Sequence, residues 1–374
     1  MKKTIFSNLF NEVTLFFIVC SLTLTLIIWI IQAVNFIDII SEDGHSIATY
    51  FSYAFLNIPK IYSKLLLLSF FLSVYYILGV YEDKNQLIIF WINGISKKEF
   101  LNKLIYLSII FGFFSLFLSY FVVPYTQNKA RSFIRDSNLD FFPSLIKPKK
   151  FIDTVENLTI FLDEKNENSM KKILIKDSTI SGGSQLIISK AGKIIGNENS
   201  KYLSLDDGII ISYGKNKKLT SFNFKQSSFN LSKYKTKTTI TPKIQETNSK
   251  TIIKCLKDLS SNINNKTVIE KLNCQKSFLK NLTQEIYKRT ILPFYIPIIC
   301  IIGALVVVKS SNNEGFKNFK IKIFLVGIFV IIISQISVNT ISINLLTGIS
   351  TLCVPLILFL GTYFFFLKIT KSSN

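Results

Sequence analysis

The sequence predicts an α-helical membrane protein with six transmembrane helices and an all-β, jelly-roll-like domain inserted between the third and fourth helices. Residues 1–128 and 290–374 are strongly apolar and contain runs long enough to cross a bilayer. Residues 129–289 are polar and contain short β-branched and aromatic runs separated by turn residues. We therefore expect four parts: helices 1–3 in 1–128, the β domain in 129–249, a helical connector in 250–289 and helices 4–6 in 290–374.

Each predicted span rests on its length and its lack of charge. About 20 apolar residues, rising about 1.5 Å each, cross the hydrocarbon core. Residues 323–367 are uncharged and long enough for two spans, with the turn in 339–348. The other four spans are expected in 13–37, about 62–81, 104–128 with an end at Val123-Pro124, and 290–308.

Lysines in the short loops predict the orientation. They occur in the N-terminal segment, in 82–103, in 309–322 and in the tail, all on one side of a six-span chain. On the other side, 38–59 has acids and no lysine or arginine, and 339–348 has no charge. Since basic loops stay in the cytoplasm, both termini are expected there and the polar insert outside.

The loop 82–100 contains an apolar sextet, 87–92, that is far too short to cross a bilayer. It stops at Asn93-Gly94, a helix-ending pair, and lysines flank it. We interpret it as a short helix at the cytoplasmic membrane surface. Such a helix is well placed to receive a push from a soluble partner.

The insert is predicted to be β up to about residue 235, as a sandwich, a jelly roll or a partly open barrel. Asp206-Asp207-Gly208 and several other glycine-containing pairs are expected to be turns, and Asp163 and Glu164 are expected to be solvated turn residues. From about residue 250 the apolar spacing becomes helical. The predicted strands are 158–162, 172–176, 186–190, 202–205, 209–213 and 221–224.

Motifs and composition argue against an enzyme. No Walker lysine loop, GxSxG, HExxH or DFG set is present, and His45 is the only histidine. No charge interrupts the deeper part of any span, which argues against a proton or ion relay. The net charge of +21 comes mostly from lysine, without any nucleic-acid-binding motif, so we expect neither a nucleic-acid partner, nor a cofactor, nor a metal.

Whether Cys255 and Cys274 form a disulfide is left open, since they show no CxxC spacing.

Four cations lie at the outer ends of predicted spans: Lys60, Lys64, Lys288 and Arg289. One interpretation is that they are anchors that snorkel to the interface. The other is that they bind phosphate or carboxylate groups of a lipid held between helices in the outer leaflet.

Several stretches resemble the LptF/LptG (YjgP/YjgQ) family of lipopolysaccharide-export permeases, and the resemblance covers essentially the whole chain. Those nearer the LptF branch are Trp29 to Asp38 and the following Gly44-His-Ser. The others are Pro59, the loop Asn85-Gln86-Leu87 to Asn93-Gly94-Ile95-Ser96, Val123-Pro124, Leu203-Ser-Leu-Asp206-Asp207-Gly208, and Glu285-Ile-Tyr-Lys-Arg289 with Pro293. The chain departs from the family at Gln86, where relatives carry glutamate, at Leu67, where they carry proline, and in 310–315.

The resemblance implies a permease subunit that pairs with an LptG-like second permease. It implies an LptB-like ATPase dimer that binds ATP, an LptC-like periplasmic protein, and lipopolysaccharide as the cargo taken from the inner membrane. The first and fifth spans would line the openings through which lipid enters. Loop 82–100 would be the coupling helix, with Gln86, Leu87, Phe90, Trp91 and Gly94 as its candidate ATPase-coupling residues, and the insert would be the periplasmic jelly roll.

Two other interpretations compete with export. One is a membrane-anchored envelope scaffold or sensor whose β domain binds a protein partner; it would not need the apolar loop helix or the outer cations. The other, an intramembrane enzyme, is the weakest, because the spans lack buried acids and histidines.

Overall fold

A computed structural model gives the fold. It describes residues 2–37, 47–136, 148–155, 157–166, 169–178, 183–197, 200–213, 219–230, 243–260, 278–311, 313–341 and 345–372. The α-helices are α1 Lys2–Asn35, α2 Ile47–Leu56, α3 Ile58–Asp83, α4 Ile88–Ile92, α5 Lys97–Phe117, α6 Val123–Asp136, α7 Ser249–Ser260, α8 Leu279–Thr290, α9 Tyr295–Ala304, α10 Phe316–Thr340 and α11 Leu345–Ser372. The strands are β1 Ile152–Val155, β2 Leu158–Asn166, β3 Ser169–Asp177, β4 Ser184–Asn197, β5 Ser200–Tyr213 and β6 Leu219–Asn230.

Six helical stretches of the described residues are long and apolar enough to cross a membrane, and the β-strands follow the third. The predicted fold class is therefore confirmed. The stretches are Lys2–Asn35, Ile47–Asp83, Lys97–Ile134, Leu279–Val308, Phe316–Thr340 and Cys353–Lys371. The second begins earlier than predicted, because 47–56 forms α2 where a loop was expected.

Helix α9 lies at the centre of the helical part. All its residues except Pro297 are buried, and it contacts α3, α5, α10 and α11. Glycines allow the neighbouring helices to approach closely: a Cβ on Gly327 of α10 would clash with the Phe71 ring. Because lipid tails are as apolar as the helix surfaces, the helices gain no hydrophobic free energy by associating in the membrane. Close van der Waals packing of this kind is therefore a main source of their association.

The third helical stretch continues past Val123-Pro124, where the sequence analysis expected the span to end. A π-helix, Leu118–Val122, precedes the proline, and α6 continues to Asp136. Pro124 has no N–H for the carbonyl of Tyr120, four residues earlier. The Ser249 hydroxyl donates to that carbonyl instead, at 2.7 Å. A side chain from outside the helix thus satisfies the carbonyl and allows the helix to continue.

The strands form one antiparallel sheet in sequential order, β1 to β6. The prediction missed β1 and wrongly split β5, because 202–205 and 209–213 belong to a single strand that runs through Asp206-Asp207-Gly208. Asp163 and Glu164 likewise lie in β2 and not in a turn. Their partners are Lys172, at 2.8 Å, and Lys171, at 2.9 Å. The hydrogen bond from Lys172 lowers the pKa of the Asp163 carboxyl below its ordinary value.

A row of interrupted pairing crosses the sheet at positions 163, 172, 190, 207 and 225, where the otherwise constant register skips one pair on each strand. Lys172 and Asp207 have positive φ there. On β5, Leu203 and Leu205 face the core before the row, whereas Ile210 faces it afterwards. The row therefore reverses the alternation of inward and outward side chains, which explains why the sequence pattern looked like two short strands.

Several predictions fall outside the described residues: the acidic loop 38–44, Cys274 and the helical pattern at Val268 and Leu272. Cys255, in α7, is buried and disulfide-bonded. Cys20, Cys300 and Cys353 are free thiols.

Candidate functional site

The segment 82–100 forms a short helix held by defined turns. Asn85 has φ of 56°, and the N–H of Gln86 donates to Tyr81 at 2.8 Å, which turns the chain out of α3. At the other end of α4, Gly94 has φ of 71°. The N–H groups of Gly94 and Ile95 donate to Trp91 and Phe90, the pattern of a Schellman motif.

One face of α4 is buried in an aromatic cluster. Leu87 and Phe90 are each 1% exposed. The Phe90 ring packs edge-on against Phe6, at 5.4 Å, and Phe100, at 5.1 Å. Trp91, which is half-buried, packs against Phe100 at 5.7 Å. These contacts fix α4 to helices α1 and α5.

The other face of α4 is apolar and exposed. Ile88, Ile89 and Ile92 are 48%, 50% and 79% exposed. We call these three isoleucines the isoleucine face. Leu87 and Phe90, two of the predicted coupling residues, are instead buried within the chain and support the helix through their packing. The sequence did not distinguish the buried face from the exposed face, because all six residues of 87–92 are apolar and no polar side orients the helix.

The remaining two predicted residues are accessible. Gln86 is half-buried. Gly94 is exposed, and a Cβ added to it would meet no atom within 4 Å.

Polar contacts connect the ends of this segment to the 309–322 loop and to the N-terminus. The Glu82 carboxylate accepts from the N–H of Ser311 at 3.0 Å, and Asp83 pairs with Lys320 at 2.8 Å. The ammonium of Lys2 donates to the carbonyl of Gly94 at 3.2 Å. Three of the lysine-bearing segments therefore meet at one end of the helical bundle, as the predicted orientation requires.

A second charged cluster lies at the opposite end of the bundle, around Arg289. This residue is 2% exposed, and its guanidinium pairs with Glu285 at 3.0 Å. It also donates to the Ser249 hydroxyl at 2.9 Å and to three carbonyls. Those are the carbonyls of Thr247 at 2.9 Å, Gln245 at 3.0 Å and Ile244 at 3.5 Å.

We call the chain of contacts Glu285–Arg289–Ser249–Tyr120 the arginine clamp. It joins α8, the start of α7 and the π-helix of the third span. Every group on the guanidinium has an acceptor within the protein, so the geometry does not favour the prediction that Arg289 binds a lipid phosphate. The sequence showed an i,i+4 Glu–Arg pair but not the distant serine and carbonyls that bury it.

The lysines of this end differ from Arg289. Lys60 is half-buried and Lys64 is exposed, one turn apart on α3. The electrostatic neighbours of Lys60 are Lys64, Lys243, Glu246 and Glu285. Lys288, on α8, is half-buried and is not among those neighbours. Lys60 and Lys64 therefore lie close together on α3, whereas Lys288 belongs to α8.

Comparisons with known proteins agree with this architecture. The family model described as "Lipopolysaccharide export system permease LptF/LptG" matches residues 8–369. The chain is also similar to Uncharacterized protein RP871 of Rickettsia prowazekii (strain Madrid E), at 23% identity over 208 residues. That match covers 55% of this chain and 58% of the relative. Since the family model matches nearly the whole chain, the protein belongs to the lipopolysaccharide export permease LptF/LptG family.

Proposed function

We propose that the chain is a non-catalytic permease subunit of an ATP-driven exporter, and that α4 is the element through which a separate ATPase acts on it. The observation that carries this proposal is the isoleucine face on a helix whose opposite face is fixed in the bundle core. An exposed apolar patch on a rigid support is typical of a protein-binding site.

The contacts of the segment suggest how force would pass into the membrane. Asp83 is bonded to Lys320 in α10, and Phe90 packs against Phe6 and Phe100 in α1 and α5. A displacement of α4 would therefore act on three spans at once. ATP binding and hydrolysis by the partner would bias the bundle between two states.

The proposed orientation puts α4 and both termini in the cytoplasm and the β domain in the periplasm of a Gram-negative inner membrane. The lysine-bearing loops at the α4 end support it. So does the disulfide at Cys255, since α7 belongs to the arginine-clamp end and disulfides persist in oxidising compartments.

The proposed partners are an LptG-like permease, an LptB-like ATPase dimer that binds the ATP, and an LptC-like periplasmic protein that receives lipopolysaccharide. Lys60 and Lys64 are the proposed contacts for phosphates of the cargo, because both remain accessible at the outer end of α3. Lys243 and the two nearby glutamates would adjust the local charge.

Co-purification of the ATPase with Ile89→Asp and Ile92→Asp variants tests the coupling role. We expect both changes to abolish co-purification while the variant proteins stay folded, because they place a carboxylate in an apolar interface. Ile188→Asp is the matched control, since Ile188 is an exposed isoleucine of the β-sheet. Retention of the ATPase by Ile92→Asp would contradict the proposal.

Photo-crosslinking from position 60 tests the cargo. Capture of lipopolysaccharide that depends on ATP hydrolysis is the expected result. Capture of protein alone would instead favour the scaffold or sensor.

A further inference from the structure

The described residues contain an apolar crevice of about 490 Å³ that belongs neither to α4 nor to the arginine clamp. It opens between α5, the segment from the end of α8 to α9, and α11. Its walls include Ile109, Gly112, Phe113, Pro293, Pro297 and Phe359. All of these residues lie within candidate membrane spans.

Proline and glycine shape the crevice. Pro297 lacks an N–H, so the Pro293 carbonyl loses its helical partner, and the chain runs through a 3-10 turn at Leu292–Phe294. On the facing helix, a Cβ at Gly112 would lie 3.7 Å from that carbonyl oxygen, an ordinary contact distance. The absence of a side chain at Gly112 therefore leaves space between the two helices.

The surroundings determine what fills this space. Eleven residues line it and none is charged, so water would find few hydrogen-bond partners there. An empty space would lose dispersion contacts on every wall. The hydrocarbon chains of the bilayer are the apolar molecules that surround these helices, and the volume falls within the range of small-ligand pockets, roughly 300–1,000 Å³.

A cation lies close in sequence to one wall of the crevice. Ile291 lines the crevice, and Lys288 precedes it by three residues, on the same face of the helix. Lys288 has no hydrogen bond or ion pair within the part of the chain that the structure describes, whereas its neighbour Arg289 is fully engaged.

We propose that this crevice binds an acyl chain of an anionic glycerophospholipid of the surrounding bilayer, and that Lys288 binds the phosphate of the same lipid. The volume of the crevice suits one or two acyl chains. We therefore regard this lipid as a bound component of the subunit and not as its cargo. The proposal requires the six spans but does not depend on export.

The experiment uses the full chain in nanodiscs that contain phosphatidylglycerol with a photoreactive group at the end of one acyl chain. Labelled peptides are counted by mass spectrometry. Labelling of α5 and α11 at the crevice is expected to exceed labelling around Phe329, an exposed residue of α10 that serves as the annular reference.

Gly112→Leu is expected to lower crevice labelling about tenfold relative to that reference, since displacing about two methylenes accounts for such a loss. Gly361→Leu is the matched control, because a Cβ at Gly361 meets open space. If Gly112→Leu does not fold, Phe113→Trp replaces it, since Phe113 is exposed and has room to grow. The site would be overturned if the wild-type chain were labelled equally at the crevice and around Phe329. It would also be overturned if Gly112→Leu and Gly361→Leu lost crevice labelling to the same extent.

Lys288→Gln tests the headgroup contact. It is expected to lower crevice labelling about fivefold, the size of one solvent-accessible ion pair. Lys280→Gln, an exposed lysine of the same helix, is expected to leave it unchanged. Unchanged labelling in Lys288→Gln would overturn the assignment of the phosphate to that lysine.

Discussion

The two ends of the helical bundle hold their candidate residues in opposite ways. At the α4 end, apolar side chains are exposed on a supported helix, and Ile92 is 79% exposed. At the other end, a charged side chain is buried, and Arg289 is 2% exposed. In each case one predicted site residue, Phe90 or Arg289, is buried, and a neighbour in the same helix is more accessible. Residue type thus indicates a site, but the helix face decides which residue contacts the ligand.

The largest expected effect is at the arginine clamp. Arg289→Ala removes the ion-pair partner of Glu285, whose side chain is mostly buried, so we expect the free energy of unfolding to fall by about 3–5 kcal/mol. Unfolding of the purified protein in mixed micelles measures this change. Lys288→Ala, one residue away but half-buried and outside the clamp, is expected to change little. Equal stability of the two variants would remove the distinction between the ends.

Ser249→Ala tests the clamp's link to the third span. The substitution removes the hydroxyl that donates to the Tyr120 carbonyl and accepts from Arg289. We expect the free energy of unfolding to fall by about 1–3 kcal/mol. The same unfolding experiment applies. Ser132→Ala is the control, since the Ser132 hydroxyl donates within its own helix. If Ser249→Ala and Ser132→Ala have equal free energies of unfolding, Ser249 does not support the helix around Pro124.

Gly94→Ala tests the support of the isoleucine face. Alanine at φ of 71° is strained by about 1–2 kcal/mol. We expect reduced stability and weaker ATPase co-purification, with Gly94→Asn intermediate because asparagine tolerates this conformation. Gly361→Ala, in a helix with open space around it, is the control for the change of residue type. Wild-type behaviour of Gly94→Ala would show that the Schellman turn does not hold α4.

Asp83→Asn is expected to have the smallest effect on stability. Its ion pair with Lys320 is partly exposed, so it contributes at most about 1 kcal/mol and weakens with salt. Unfolding at low and high ionic strength measures the difference. Glu99→Gln, which alters the longer 3.7 Å contact with Lys2, provides a comparison. A loss as large as that of Arg289→Ala would mean that the α4 end depends on buried charge after all.

The sequence was sufficient for features set by composition over a long stretch. Length and absence of charge predicted the six spans and the insert between the third and fourth. It was insufficient where a distant group alters the local backbone: the Ser249 hydroxyl donates to the carbonyl freed by Pro124, and the helix continues past the proline. It also failed at Asp207, whose positive φ reverses the side-chain alternation inside a strand, so the apparent turn is continuous β5.

In the segment 82–100, too, the role of single residues depends on distant contacts that the local sequence does not reveal. Its position, its helical ending at Asn93-Gly94 and its apolar character could all be predicted. Which side faces outward depends on Phe6 and Phe100, which come from α1 and α5. The burial of Arg289 depends likewise on the segment 244–249, which carries no sequence signal for that contact.

Cross-linking at adjacent positions of α4 tests the central claim most directly. Single cysteines at positions 88, 89 and 92 and at position 87, each modified with a photoreactive maleimide, are illuminated in the presence of the ATPase. We predict maleimide modification and ATPase adducts at the three exposed positions, strongest at 92, and neither at the buried position 87. An ATPase adduct from position 87, or none from position 92 in a folded and modified protein, would contradict the account.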